Sequence, residues 1–256
     1  MISEPATPPI NPGARTAAET TEAAAAANVR TLFSNIAPTY DRLNHLLSFG
    51  LDRLWWRRTA QVFAPVLRKP EARIVDLCCG TGDQTAALLA VRPKTPGTEP
   101  VTGLDFSSEM LARARAKFPS SQVRWIEGDA MHLPFADASL DLVTAAFGFR
   151  NLSNYAAGLA EIYRVLRPGG QVGILEANQP TGLNALIYNS YFHHILPLVG
   201  GLFSGQRAAY RYLPASVQRF PRPPQMLRML SEAGFSDAGW DGYLLQAAGL
   251  YHATRR

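Results

Sequence analysis

From Pro70 onward, short apolar runs alternate with stretches whose apolar residues recur at helical spacing. The runs are four to seven residues long, which suits buried strands rather than helices. The stretch 155–166 shows the helical spacing clearly, and Pro168-Gly169-Gly170 follows it as a stop signal. Strands that alternate with helices form right-handed crossovers, which predicts an α/β fold with a parallel, doubly wound sheet. The five runs are Ile74–Leu77, Val101–Leu104, Val123–Ile126, Leu140–Ala146 and Val172–Leu175.

The segments around this alternation predict one domain, residues 29–256, with two additions. Residues 1–28 are rich in Ala, Thr, Pro and Glu and are predicted to be a disordered tail, with a helical tendency along Ala23–Ala27. Residues 29–69 have a helical pattern with several aromatics and are predicted to form a helical cap. Residues 178–222 interrupt the alternation and are predicted to be an insertion after the fifth strand. Two closing strands are expected, near Gly234-Phe235 and within 243–253.

The composition restricts the classes of function. Of the 256 residues, 47% are hydrophobic and 18% charged, so the chain can bury a sizeable core. Its purest apolar run, 195–203, has nine residues, against roughly 18 in a membrane span, and a transmembrane protein is not expected. The net charge of +5 comes from scattered basic residues, which disfavours nucleic acid as a partner.

The two cysteines, Cys78 and Cys79, are adjacent in the chain. They suit a reducing compartment, so we expect a cytoplasmic protein. No metal is expected, because two adjacent cysteines without a second pair do not form a zinc site. Contact with the membrane surface and a homodimer are left open.

The string D-L-C-C-G-T-G-D occupies residues 76–83, directly after the first predicted strand. Small residues there let the backbone turn sharply beside a ligand, with the next helix N-terminus behind it. A dinucleotide site is disfavoured, because a G-x-G-x-x-G pattern counted from Gly80 places Thr85 where Gly or Ala is needed. Asp76 also repels a pyrophosphate. It suits a ligand with an amino group and a sulfonium cation, which describes S-adenosylmethionine (SAM).

Two further acids follow the second and third predicted strands. Asp105 lies 23 residues after Gly82, where a carboxylate accepts both hydroxyls of a ribose. Asp129, followed by Ala130, lies where the amino group of an adenine would sit. Carboxyl ends of parallel strands share one edge, so Asp76, Asp105 and Asp129 are predicted to line one crevice. The alternative for each acid is that it caps the helix or turn that follows it.

These residues resemble the class I SAM-dependent methyltransferases, as do G-L-D-F-S-S-E-M-L at 103–111 and E-I-Y-R-V-L-R-P-G-G at 161–170. Three more strings, at 33–56, 147–152 and 209–217, resemble more narrowly the ubiquinone/menaquinone biosynthesis C-methyltransferases, the UbiE/MenG family. The C-C-G-T-G-D and D-F-S-S strings are most similar to the branch that methylates 2-phytyl-1,4-naphthoquinone on the way to phylloquinone. The resemblance implies a Rossmann-like sheet and SAM as co-substrate.

The resemblance also implies a set of SAM contacts. Asp105 would bind the ribose, and Asp129 with Ala130 the adenine. A family serine that contacts SAM is Ala146 here, so any contact would run through its backbone. Cys78 replaces the first glycine of the usual loop, and Glu176-Ala177 stands where Glu-Phe is common. Thr81 in the glycine loop is a further contact that the resemblance implies, whereas Asp76 and the loop glycines come from the residue pattern. The full set of candidate SAM-binding residues is Asp76, Gly80, Thr81, Gly82, Asp105, Asp129, Ala130 and Ala146.

The string F-G-F-R-N at 147–151 follows the fourth predicted strand, beside the predicted methyl donor. C-methylation of a quinol needs a nucleophilic ring carbon, and loss of a phenolic proton provides one. We assign Arg150 to phenolate stabilisation, since a guanidinium is too basic to accept the proton efficiently. Tyr40 or a water would relay the proton, and Asn151 would orient that water. Alternatively, Arg150 pairs structurally with an acid such as Asp41. Three histidines are further candidate bases: His45, His193 and His194.

The sequence therefore predicts SAM-dependent C-methylation of a prenylated naphthoquinol, demethylphylloquinol or demethylmenaquinol, late in quinone biosynthesis. The alternatives are a ubiquinone-type benzoquinol, another small molecule methylated on oxygen or nitrogen, and a non-catalytic SAM-binding partner in a quinone-biosynthesis assembly. Residues 183–203 are apolar and precede five arginines in 207–228. They are predicted to contact anionic headgroups, or alternatively to pack over the core.

Overall fold

The computed structural model describes residues 13, 21–37, 45, 48, 50–182 and 207–256. These residues contain a seven-stranded sheet. The five predicted strands and the two closing strands are all confirmed. In chain order the strands are β1 (Ile74–Leu77), β2 (Val101–Asp105), β3 (Val123–Glu127), β4 (Leu140–Ala146), β5 (Leu166–Ala177), β6 (Phe235–Tyr243) and β7 (Ala248–Arg255).

The strands lie in the order β3-β2-β1-β4-β5-β7-β6. β1 to β5 pair in parallel, whereas β7 is antiparallel to both β5 and β6. Every residue of β1 and β2 is buried, as expected for parallel strands with helices on both faces. The predicted doubly wound, mostly parallel sheet is confirmed. It brings the carboxyl ends of β1 to β4 to one edge.

Helices cover both faces of the sheet. Alternate residues of β1 point to opposite faces, so Val75 and Leu77 pack in one apolar core and Ile74 in another. The described helices are α1 (Glu22–Ile36), α2 (Asp52–Val62), α3 (Ala64–Leu67), α4 (Asp83–Leu89), α5 (Ser108–Lys117), α6 (Tyr155–Val165), α7 (Arg207–Arg219) and α8 (Pro223–Glu232), and a 3-10 turn spans Phe149–Asn151. The first core includes residues of α6 and α8, and the second includes residues of α2, α3 and α4.

The helix α1 begins earlier than the predicted end of the tail. The Thr21 hydroxyl accepts a hydrogen bond from the Ala24 N–H at 3.1 Å, and this N-cap starts the helix at Glu22. The predicted boundary at residue 28 is therefore wrong, and the Ala23–Ala27 run is helical. α1 packs beside the carboxyl edge of the sheet, where the Ser34 hydroxyl donates to Glu109 at 2.7 Å.

The predicted insertion is described in part, over 178–182 and 207–222. Its apolar segment 183–203, with His193 and His194, lies outside the described residues, as do Tyr40 and Asp41. α7, which closes the insertion, packs against the 3-10 turn after β4. Within the described ranges, no helix is long and apolar enough to cross a membrane.

Candidate active site

Two clefts lie side by side at the carboxyl edge of the sheet, and Cys78 lines both. The first is a solvent-open cleft, about 450 Å³ with its open part included, and is lined by Asp105, Asp129 and Asn151, among others. The second is also open to solvent, about 380 Å³ with its open part included, and is lined by Asp76 and several loop residues. Because Cys78 lines both clefts, the two clefts are adjacent. The predicted site residues in the first cleft are Asp105, Asp129, Ala130 and Asn151, and those in the second are Asp76, Gly80, Thr81 and Ala146.

The loop after β1 is tightly turned. Cys78, Gly80 and Gly82 all have positive φ, at 52°, 54° and 90°, so the sharp turn predicted from the small residues is confirmed. A Cβ on Gly82 would lie 2.6 Å from the Trp125 ring, so only glycine fits there. Cys78 adopts a backbone conformation that a glycine would adopt at lower cost. The Cys78 side chain packs directly against the backbone of Gly148 in the turn after β4. A Cβ on Gly148 would lie only 2.3 Å from the Cys78 Cβ, so this close contact requires glycine.

Asp76 lies at the bottom of the second cleft. Its carboxylate accepts hydrogen bonds from the hydroxyls of Thr85, at 2.6 Å, and Thr144, at 2.9 Å. Burial, opposed by these bonds, raises the pKa of Asp76 to about 7. Thr85, which does not fit a dinucleotide fingerprint, therefore has a defined partner in Asp76 of β1.

Asp105 is held in a fixed orientation in the first cleft. Its two carboxylate oxygens accept the backbone N–H groups of Gly80, at 2.8 Å, and Ser107, at 2.9 Å. Burial raises its pKa to about 6, against these hydrogen bonds. A second carboxylate, Asp129, lines the same cleft at a more exposed point and accepts the Met131 N–H at 2.9 Å. Asp105 is the last residue of β2, and Asp129 follows the end of β3 by two residues, which are the positions that the sequence pattern predicts.

The N-terminal helix completes the first cleft. Ala26 and Val29 of α1 line it together with the apolar residues Leu104 and Leu152. Neither α1 residue was predicted to line the site, because Ala26 was assigned to the tail and Val29 only to the helical cap. Thr21 before an alanine run was the signal, since threonine is a common N-cap. An apolar slot with carboxylates on its rim suits an adenosine group.

Arg150 is buried in an ion pair. Its guanidinium donates to Glu176 at 2.8 Å and to the Ser216 hydroxyl at 3.2 Å, and only 5% of the residue is exposed. Glu176, at the end of β5, is fully buried; burial raises the pKa of its carboxyl, and Arg150 opposes that rise. A structural role for Arg150 thus has a partner, Glu176, that the sequence pattern did not indicate. Arg150 does not line either cleft.

Asn151 does line the first cleft, and α7 orients it. The Tyr212 hydroxyl donates to the Asn151 side-chain oxygen at 2.8 Å. The Asn151 amide nitrogen keeps both N–H groups and has no protein partner in the described part of the chain. The sequence pattern did not point to this pair, because the partners lie 61 residues apart.

A histidine lies next to the second cleft. His45 Nδ1 is 2.5 Å from the Asp52 carboxylate, and the His45 ring packs edge-on against Trp56 with 5.9 Å between centroids. Trp56 lines the second cleft. Trp56 also packs against the second apolar core, so the cleft wall on this side is continuous with that core.

The residues present fit SAM. The buried carboxylates at two strand ends favour a cation, and the tight glycine loop leaves room for a backbone contact. This fold, with an acid-lined double cleft after β1, β2 and β3, defines the protein as a class I SAM-dependent methyltransferase.

The chain belongs to the ubiE/COQ5 methyltransferase family, whose model matches residues 20–254. A relative from Thermus thermophilus, named demethylmenaquinone methyltransferase, is 49% identical over 80% of this chain and 91% of its own. One of the same name from Lactiplantibacillus plantarum is 42% identical over 89% and 96%. A relative from Geotalea daltonii, named ubiquinone/menaquinone biosynthesis C-methyltransferase UbiE, is 39% identical over 87% and 94%.

Solved structures show the same fold. A SAM-dependent methyltransferase from Thermotoga maritima superposes with a TM-score of 0.62 at 17% identity, covering 89% of this chain and all of that one. A Haloferax volcanii structure of a methyltransferase with its Trm112 activator gives a TM-score of 0.59 at 21% identity, covering 87% and 96%. SAM is the co-substrate of this chain, and it supplies an electrophilic methyl group.

SAM binding is expected to strengthen as the pH rises from about 5.5 to 7.5. The pKa values of Asp76 and Asp105 are raised to about 7 and about 6, so both carboxyls are partly protonated in this range without ligand. A cation favours their ionised forms, and binding should release up to about one proton near pH 6.5. Calorimetry in two buffers of different ionisation enthalpy measures this release. A pH-independent Kd with no proton release would contradict the placement of these acids beside SAM.

Proposed function

We propose that the chain transfers the SAM methyl group to a ring carbon of a prenylated naphthoquinol, demethylmenaquinol or demethylphylloquinol, late in menaquinone or phylloquinone biosynthesis. One observation carries this proposal: the three strings that resemble the quinone branch converge on one cluster. Phe33 of the first string packs edge-on against Tyr212 of the third, with 6.2 Å between ring centroids. Tyr212 in turn donates to Asn151 of the second string.

Relatives support the choice of quinol. Many are named demethylmenaquinone methyltransferases, at 40–49% identity in several species. The phytyl-tailed substrate rests only on the resemblance of C-C-G-T-G-D and D-F-S-S to the phylloquinone branch. The relative named for both ubiquinone and menaquinone supports a benzoquinol as the second candidate substrate.

The proposed mechanism begins with loss of a phenolic proton from the quinol, which places charge on the ortho carbon. Asn151, whose oxygen is held by Tyr212, offers its N–H groups to the developing oxyanion. Arg150 precedes Asn151 in the 3-10 turn, and its positive charge would add to the stabilisation of the oxyanion. Glu176 holds the Arg150 guanidinium in place. The phenolic proton passes to Tyr40 or to a water. His45 is a further candidate acceptor, because Asp52 holds its Nδ1 in the way that a carboxylate orients a histidine base.

The substrate is tested with labelled SAM and a panel of reduced quinols. The panel combines naphthoquinol and benzoquinol rings with short, phytyl and longer prenyl tails. We expect methyl transfer to naphthoquinols that have one unsubstituted quinol-ring carbon, and none to the oxidised quinones, which lack a phenolic hydroxyl. Exclusive transfer to benzoquinols would establish the second candidate. Transfer to none of the reduced quinols, with SAM bound normally, would overturn the proposal.

A further inference from the structure

Large apolar side chains are exposed in only two places among the described residues. These are α2, with Leu54 and Val62, and the turn between β6 and β7, with Leu244 and Leu245. Each of these four residues is between 43% and 50% exposed. Single exposed leucines are ordinary on protein surfaces, but grouped ones mark interaction sites.

The solvent face of α2 is basic as well as apolar. Arg53, Arg57 and Arg58 are exposed beside Leu54, and none of the three guanidinium groups has an ion-pair partner in the described ranges. The one acid of the helix, Asp52, is buried on the opposite side against His45. Arg58 lies over the Tyr243 ring at 5.5 Å, so the face of α2 adjoins the β6–β7 turn.

The β6–β7 turn exposes two leucines, Leu244 and Leu245, to solvent. Leu244, Leu245 and Gln246 have φ values of 41°, 51° and 70°, a conformation that favours glycine or asparagine. Two half-exposed leucines in such a turn are not explained by packing within the chain. The nearest acid along this hairpin, Asp241, is exposed and lies 3.7 Å from His252.

The β6–β7 turn and α2 both lie at the same edge of the sheet as the candidate active site. Ala248, just after the turn, pairs with Ala177 at the end of β5, and the Asn178 N–H donates to the Ala247 carbonyl at 2.9 Å. The turn therefore lies at the carboxyl edge of the sheet. α2 reaches the same edge, because its Trp56 lines the second cleft.

We propose that this arginine–leucine surface, formed by Arg53, Leu54, Arg57, Arg58, Leu244 and Leu245, docks on an anionic phospholipid bilayer. The inference rests on the proposed function, since a prenyl-tailed quinol resides in the bilayer. Arginines attract the anionic headgroups while the leucines insert between them. A second copy of the chain fits poorly here, because a two-fold interface would set arginines against arginines.

Flotation with vesicles tests the surface in the full chain. The wild type should bind vesicles of phosphatidylglycerol and phosphatidylcholine at about a 1:2 ratio, bind pure phosphatidylcholine weakly, and detach at high salt. Arg53→Gln/Arg57→Gln should lower binding by about 25-fold, because each arginine near an anionic surface contributes about fivefold. Leu244→Ser/Leu245→Ser should also lower it at least about tenfold. The control Arg113→Gln/Arg124→Gln removes the same charge from exposed positions on α5 and β3, the far edge of the sheet, and should leave binding unchanged.

Activity separates this inference from the proposed function. Both surface variants should methylate a soluble short-tailed quinol at the wild-type rate and lose activity on a long-tailed quinol in anionic vesicles. Equal vesicle binding by the wild type, both surface variants and the control would overturn the docking surface. The docking surface would also be overturned if the wild type methylated soluble quinol but bound no vesicle. The same holds if the arginine–leucine surface bound a protein and no vesicle. No methylation of soluble quinol by the wild type would instead overturn the proposed function.

Discussion

Replacing Asp105 by alanine is expected to raise the Kd for SAM at least tenfold while the chain stays folded. A carboxylate that accepts two ribose hydroxyls makes charge-assisted bonds worth about 1.5–3 kcal/mol each. Asp105 is already fixed for this role by the N–H groups of Gly80 and Ser107. Titration calorimetry measures the Kd, and circular dichroism checks the fold.

A matched control for Asp105 is Asp137→Ala. Asp137 is an exposed carboxylate paired with Arg164 at 2.6 Å and does not line either cleft, so its removal should leave the Kd unchanged. NAD should bind negligibly to the wild type, because Thr85 does not fit the dinucleotide fingerprint. Unchanged SAM affinity in folded Asp105→Ala would remove this residue from the site.

Replacing Arg150 by methionine is expected to lower the free energy of unfolding by about 3–5 kcal/mol. The change leaves the Glu176 charge buried without its partner, which is the costly way to break a buried pair. An unpaired buried carboxyl binds a proton more readily in the folded state than in the unfolded state. The loss should therefore be smaller at about pH 5 and grow as the pH rises through the raised pKa of Glu176. Urea unfolding at several pH values measures it.

The double variant Arg150→Met/Glu176→Gln separates a structural role of Arg150 from a catalytic one. Removal of both charges should restore most of the stability. If Arg150 also stabilises the phenolate, turnover of the stable double variant should remain about 10²–10³-fold low, the scale for one oxyanion donor. Raising the pH should then recover part of the turnover, because solution hydroxide ionises more quinol. Turnover that returns with stability would show that Arg150 is structural only.

The convergence of the acids could be predicted because it depends on a general rule. Parallel strands end at one edge, so Asp76, Asp105 and Asp129 had to lie near one another once their strands were recognised. The glycine loop was equally predictable, since small residues between a strand and a helix leave few backbone conformations.

The partner of Arg150 could not be predicted, for a physical reason. Arg150 and Glu176 lie 26 residues apart on the 3-10 turn and β5, and no helical or strand period relates two such positions. The same holds for Asn151 and Tyr212. The start of α1 was missed for another reason: an alanine run has little hydrophobic contrast, so only the Thr21 cap marked it.

The position of the transferred methyl group tests the central proposal most directly. A naphthoquinol deuterated at its unsubstituted quinol-ring carbon would be incubated with carbon-13 methyl-labelled SAM, and the product analysed by mass spectrometry and NMR. C-methylation predicts the loss of one ring deuterium for each methyl gained, with the labelled carbon bonded to the ring. A product that keeps its deuterium and has the label on oxygen would contradict the proposed reaction.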